Sequence, residues 1–331
     1  MMFDLLMVLI SLVGGFVLSL VLGKFLIPAL RALKAGQSIR EVGPKWHNGK
    51  AGTPTMGGLM FIAASLLCVA TGWRSMREGS YAHLLVLALA LAFGLIGFAD
   101  DFIKVKKKRN LGLTGLQKLV LQIVAAAAFL YFLYRHGALS CDLYIPFVAS
   151  PVTGISKVVY LAFAVFVIVG CVNAVNLTDG IDGLAGGVTM PVMLFFVLTS
   201  MLMKKMGLAT FPAALLGGLG GFLVYNFYPA KVFMGDTGSL FLGGAVCGLA
   251  FALDMPLILL FVGLIYIIET LSDILQVCYF KLTHGKRIFK MAPIHHHFEL
   301  CGWSEKKIFC VFSGVTLILS VLAVFGIRSF F

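Results

Sequence analysis

The stretch Leu84-Leu85-Val86-Leu87-Ala88-Leu89-Ala90-Leu91-Ala92-Phe93-Gly94-Leu95-Ile96-Gly97-Phe98 decides the fold. It is apolar on every face, whereas a barrel strand alternates polar and apolar side chains and a surface helix keeps one polar side. A helix crossing a bilayer fits, and it needs about 20 residues of this kind. Directly after it come Ala99-Asp100-Asp101-Phe102 and the basic residues Lys104, Lys106, Lys107, Lys108 and Arg109, so the span ends abruptly in charge.

Comparable runs recur in both directions, Leu257 to Ile268 among them. The 331 residues are 60% hydrophobic and 12% charged, too apolar to cover a water-exposed surface. Membrane lipid is the expected surrounding, and no nucleic acid partner is expected. Apolar runs bounded by charge, Pro or Gly place spans near 4–30, 54–72, 83–99, 119–134, 158–176, 185–203, 210–228, 240–254, 256–280 and 308–328. The expected fold class is an all-α polytopic membrane protein of about ten transmembrane helices, one integral membrane domain over residues 1–331. The first run lacks a basic leader and a small-residue cleavage site, so it is expected to remain as a span.

Ten spans put both termini on one side. Loops 31–53, 100–118, 177–184, 229–239 and 281–307 carry 18 of the 26 basic residues, and the opposite set carries seven. That excess predicts the first set in the cytoplasm and both termini extracytoplasmic. The external segment 135–157, with Gly137, Pro146, Pro151 and Gly154, suggests a small β-hairpin. Seven cysteines are scattered without metal-type spacing or a disulfide framework.

Four polar strings fall on the predicted cytoplasmic face. In the first, the adjacent carboxylates of Asp100 and Asp101 repel unless a cation holds both, which suits a base or a Mg²⁺ site. The basic run beside them serves as a positive-inside anchor or attracts phosphate. The second, Asn173-Ala174-Val175-Asn176-Leu177-Thr178-Asp179-Gly180-Ile181-Asp182-Gly183-Leu184, puts two amides one turn apart and two carboxylates among turn-forming glycines. The third runs from Asn226 through Phe233-Met234-Gly235-Asp236-Thr237-Gly238-Ser239. Its glycines precede a helix start that favours anions, and Asp236 is a hard oxygen ligand suited to Mg²⁺ or an N-cap. The fourth, Ala292-Pro293-Ile294-His295-His296-His297-Phe298-Glu299, reads as a phosphate-contacting or proton-positioning group rather than zinc ligands, because successive residues point apart. Glu269 and Asp273 lie one turn apart inside the ninth span, where they either line a cavity or mark a helix emerging early into water.

Together these strings resemble the polyprenyl-phosphate N-acetylhexosamine-1-phosphate transferase superfamily. Lys50-Ala51-Gly52-Thr53-Pro54-Thr55-Met56-Gly57-Gly58 and the histidine string resemble its phospho-N-acetylmuramoyl-pentapeptide transferase family, over about residues 45–300. The resemblance implies transfer of phospho-N-acetylmuramoyl-pentapeptide from its UDP-linked precursor to undecaprenyl phosphate, giving lipid I and UMP at the bacterial cytoplasmic membrane. It implies Mg²⁺ on Asp236, with Asp100 and Asp101 as further ligands or with Asp100 orienting the lipid phosphate. His295 and His296 would contact phosphate, and Lys108 or Lys118 would neutralise oxygens. Lys50, Asn176, Asp179, Asp182, Asn226 and Phe233 are implied on the nucleoside side, Phe233 offering a ring to uracil. Gln276, Thr55 and Ala292 follow from neighbouring positions, and a homodimer is implied by the resemblance alone.

Two rival readings make different predictions. A secondary transporter would place its acids near mid-membrane in repeated halves. A sister transferase moving N-acetylglucosamine-1-phosphate would not call for the histidine triplet with its Ala-Pro-Ile lead.

Overall fold

The computed structural model describes residues 2–33, 52–107, 109, 111–148 and 150–327. Its helices are α1 (Met2–Ala32), α2 (Leu59–Ser65), α3 (Leu67–Thr71), α4 (Trp73–Arg77), α5 (Ala82–Lys107), α6 (Gly115–Arg135), α7 (Lys157–Thr178), α8 (Leu184–Leu202), α9 (Met206–Asn226), α10 (Gly235–Ala252), α11 (Leu259–Val262), α12 (Leu264–Leu282), α13 (Ile294–Leu300) and α14 (Glu305–Gly326). Among the described residues, α1, α5 to α10 and α14 are long and apolar enough to cross a membrane. A ninth crossing forms if α11 and α12, bent by 81°, count as one.

The expected span near 54–72 does not form as one continuous helix. Gly57 N–H donates to Phe233 O (2.8 Å) and Gly58 N–H to Met234 O (3.1 Å), so the chain before Leu59 is drawn into a neighbouring loop. Leu66 and Gly72 then divide the remainder into α2, α3 and α4. The segment expected as a hairpin carries a single antiparallel bridge, Leu143 with Val152, among the described residues.

Chain direction alternates along the bundle and separates two ends. At one, Arg74 reaches Asp4 (3.5 Å), Ser140 N–H donates to Asp254 Oδ2 (3.2 Å) and Phe147 N–H to Gly326 O (2.8 Å). At the other lie the C-terminal ends of α5, α7, α9 and α12 and the starts of α6, α8, α10 and α14. All four polar strings therefore share one end.

At the centre stands α10, with 89% of its apolar window buried against 22% for α1 and 28% for α14. Lipid supplies no hydrophobic force between helices, so close packing of small residues does this work. A Cβ on Gly243 would meet Val172 of α7 at 2.6 Å, and one on Gly244 would meet Ala90 of α5 at 3.0 Å. Helices α5 and α7 thus flank α10 closely, and their polar ends are brought onto its N-terminus.

Candidate active site

Helix α10 begins at Gly235, whose φ of +70° a side chain would strain. A Cβ there would also meet Asp101 Oδ2 and Thr55 Oγ1 at 2.5 Å. The turn aims Asp236 across to α5, where the backbone approaches so closely that a Cβ on Gly97 would collide with the Asp236 carbonyl. Asp101 Oδ2 accepts from Thr237 N–H (2.9 Å) and Thr237 Oγ1 (2.7 Å), satisfying a free donor of the first turn of α10. Asp100 Oδ1 accepts from Leu113 N–H (2.7 Å), in a loop that closes over it at Gly112.

Two ammonium groups occupy the centre. Lys104 Nζ lies 2.6 Å from Asp100 Oδ2, 3.1 Å from Asp236 Oδ2 and 3.9 Å from Asp101 Oδ1. Lys118 Nζ lies 2.7 Å from Asp236 Oδ2 and 3.1 Å from Asp100 Oδ2. A capping box starts α6 sharply: Gln117 N–H donates to Thr114 Oγ1 (3.3 Å) and Thr114 N–H to Gln117 Oε1 (2.9 Å). Lys118 is thereby held in the first turn, facing the carboxylates. From α7, Asn176 Nδ2 donates to Asp236 Oδ1 (3.1 Å) and Ser239 Oγ (2.7 Å).

Asp100 and Asp101 are buried, while the Asp236 side chain keeps 19% exposure and forms the open edge of the cluster. The three offer oxygens within 4.8 Å of one another. Three hard anionic donors gathered around two cations fit a divalent ion of the Mg²⁺ type, which takes one or two carboxylates and leaves positions for phosphate. Asp179 closes the C-terminal end of α7, its N–H donating to Asn176 O (3.2 Å). Burial first, then the carboxylates of Asp236, Asp101 and Asp182, push its carboxyl up to about 8.

The other expected residues divide. Thr55 sits beside Gly235, and Phe233 is half-buried, clamped by Phe233 N–H to Pro54 O (2.8 Å). Asp182 ties the loop, its Oδ2 accepting from Ala230 N–H (2.8 Å) while its own N–H donates to Glu305 Oε2 (3.0 Å). Asn226 Nδ2 donates to Val232 O (2.8 Å), and Gln276 Oε1 accepts from Ile288 and Phe289 N–H groups at 3.1 and 2.9 Å. Ala292 precedes the cis Pro293 at the entry to α13. The two amides of the second string part company: Asn173 Nδ2 donates to Gln122 Oε1 (2.8 Å) on α6. His295 Nδ1 lies 2.9 Å from Glu269 Oε2, both residues fully enclosed, and His296 Nδ1 lies 2.7 Å from Glu299 Oε2. Lys50 and Lys108 lie outside the described residues.

Lys104 belongs to the basic run expected as an anchor or a phosphate attractor and is not singled out among the expected site residues. Its spacing held the signal, four residues after Asp100 and three after Asp101 on one helix, where side chains meet. Glu305 gave no comparable signal, because its partner Asp182 lies far away in sequence.

The chain matches two family descriptions, Glycosyl transferase family 4 over residues 83–254 and Phospho-N-acetylmuramoyl-pentapeptide-transferase signature 1 over residues 50–62. It is similar to a protein of Clostridium acetobutylicum named phospho-N-acetylmuramoyl-pentapeptide-transferase, 47% identical over 314 residues, covering 95% of this chain and 96% of the relative. A protein of the same name from Carboxydothermus hydrogenoformans is 48% identical over 322 residues, covering 96% and 98%. One from Thermoanaerobacter pseudethanolicus is 47% identical over 322 residues, covering 97% and 98%.

Proposed function

The chain belongs to the phospho-N-acetylmuramoyl-pentapeptide-transferase family, and from that premise we propose that it transfers phospho-N-acetylmuramoyl-pentapeptide from a UDP-linked donor to undecaprenyl phosphate, giving lipid I and UMP in peptidoglycan synthesis. The observation that carries the reading is the convergence of Asp100, Asp101, Asp236, Lys104, Lys118 and Asn176 at one end of the bundle. A soluble anionic nucleotide and a lipid phosphate meet where helices leave the membrane, and cations beside carboxylates at helix ends suit that meeting. The 18 basic residues in loops of this end support its placement in the cytoplasm.

Phosphoryl transfer asks the protein mainly for positioning and charge stabilisation. Asp236, with Asp100 and Asp101 beside it, would hold Mg²⁺, which when bound offsets charge on the donor's pyrophosphate. Lys104 and Lys118 neutralise phosphate oxygens and keep the carboxylates from repelling one another. Asn176 orients Asp236 through Oδ1, while Lys104 and Lys118 hold its Oδ2. Phe233 offers its ring to uracil, with Thr55 beside it. Acceptor and donor can meet at one site, and a phosphate monoester is already an anionic nucleophile, so direct attack by the lipid phosphate is favoured over an aspartyl-phosphate intermediate.

Purified protein with Mg²⁺, undecaprenyl phosphate and each UDP-sugar in turn tests the reading through UMP release. Release from the muramoyl-pentapeptide donor alone is expected. A folded protein that releases none from that donor overturns the assignment, and release from UDP-N-acetylglucosamine instead would identify the sister reaction.

A further inference from the structure

Glu269 and His295 are both fully enclosed, joined by one 2.9 Å contact, on elements separated by a long basic loop. The contact engages His295 through Nδ1, the nitrogen that donates when Glu269 is a carboxylate, and leaves Nε2 as the remaining ring atom. Among the described residues, neither His295 Nε2 nor Glu269 Oε1 has a hydrogen-bond partner. Orphaned buried polar atoms are costly, and an apolar pair of similar size would pack here without that cost.

The place where Nε2 rests is informative. It lies against Gly180, where a Cβ would collide with it. Gly180 follows Asp179, which caps α7 with its N–H on Asn176 O, one turn beyond the side chain that holds Asp236 Oδ1. The far side of the same loop is tied by Asp182 to Ala230 and Glu305. The imidazole edge is thus the floor on which the Asp179 turn sits, and the Glu269 carboxylate holds that edge in orientation.

We infer that Glu269 and His295 form a buried positioning dyad that sets the Asp179–Asp182 loop, and with it the donor side of the site. This deepens the transferase reading and rests on it. Glu269 acts through His295 and the loop backbone, and is a positioning residue.

The test compares full-length protein with Glu269→Ala, Glu269→Gln, Gly180→Ala and the Glu269→Ala/Gly180→Ala double variant. KM is measured separately for the UDP-linked donor and the lipid phosphate, together with thermal midpoints and ¹⁵N spectra of histidine-labelled protein, His295 being assigned through His295→Gln. Glu269→Ala and Gly180→Ala are each expected to raise donor KM about tenfold and leave acceptor KM within about twofold, as a displaced loop should. Glu269→Gln keeps an acceptor for Nδ1–H and should hold donor KM within about threefold of the parent. Because both substitutions disturb one loop, the double variant should be no more than about threefold worse than the stronger single one.

Donor and acceptor KM rising together, multiplicative losses in the double variant, or Glu269→Gln as damaging as Glu269→Ala would each overturn the dyad. So would a His295 spectrum showing hydrogen on Nε2 alone. If Glu269→Ala does not fold, Gly180→Ala and Glu269→Gln decide between the same outcomes. A folded parent that turns over no donor overturns the transferase reading instead, and the spectra then decide the dyad by themselves.

Discussion

The two ends of the bundle carry similar residue types and use them differently. At the end away from the site, Arg74 meets Glu78 at 3.1 Å and Asp4 at 3.5 Å with 49% and 63% of the Arg74 and Glu78 side chains exposed. Such pairs compete with water and contribute little. At the site end, Lys104 and Lys118 lie 2.6 to 3.1 Å from Asp100 and Asp236, and Asp100 keeps 1% exposure. There the charges are held by helix packing and are only partly reached by water. Charge placed on a frame that cannot relax is what preorganises a site, and hydropathy alone does not distinguish the two ends.

The strongest way to break this contrast is Asp236→Ala. It should lower UMP release by about 10³-fold or more. Turnover that survives with unchanged Mg²⁺ dependence would remove Asp236 from the metal site. Next comes Lys104→Met, expected to lower kcat about 100-fold. With one cation fewer among three carboxylates, the Mg²⁺ concentration giving half-maximal rate should fall, and a rise would show that Lys104 does not share the acids with the ion. Gly58→Ala probes the frame itself, since its Cβ would collide with Gly238. A loss of about 1–3 kcal/mol is expected from overpacking, read as a lowered thermal midpoint in detergent.

A smaller effect concerns pH. Asp179, with its carboxyl near 8 in the folded chain, ionises far lower once unfolded. Between those values the folded protein keeps a proton that the unfolded chain has lost, so Asp179 makes stability fall as pH rises through the window. In chelator, the thermal midpoint of Asp179→Asn should therefore decline less from about pH 5 to about pH 8 than that of the parent. Equal slopes would show that the carboxyl is not disfavoured in its charged form. Smallest of all, Arg74→Ala should change stability by less than about 0.5 kcal/mol and leave UMP release at the parent rate. A larger loss would mean that the far end is coupled to the site.

Much of this was legible in the linear chain. Apolar runs without a polar face require helices in lipid, and Asp100, Asp101, Asn176, Asp179 and Asp236 stand where such helices stop. Hydropathy responds to the transfer of each residue out of water, a local property, so it located these ends without knowing what they touch. The same locality made 54–72 read as one span, because nothing in that run announces that Gly57 and Gly58 donate to the backbone at Phe233 and Met234.

What the sequence by itself determined is a helical membrane protein with its chemistry at helix ends and with strings that mark its family. Only the tertiary structure decided which of those residues meet. Asp182 accepts from Ala230 N–H and Gln276 from Ile288 N–H, Asn173 pairs with Gln122, and Lys104, one of a basic run read as an anchor or a phosphate attractor, is the cation between three carboxylates. The reason is geometric: a side chain's partner depends on how closely α5, α7 and α10 approach. That distance is fixed by glycines and alanines scattered along three helices, whose combined effect no single stretch displays.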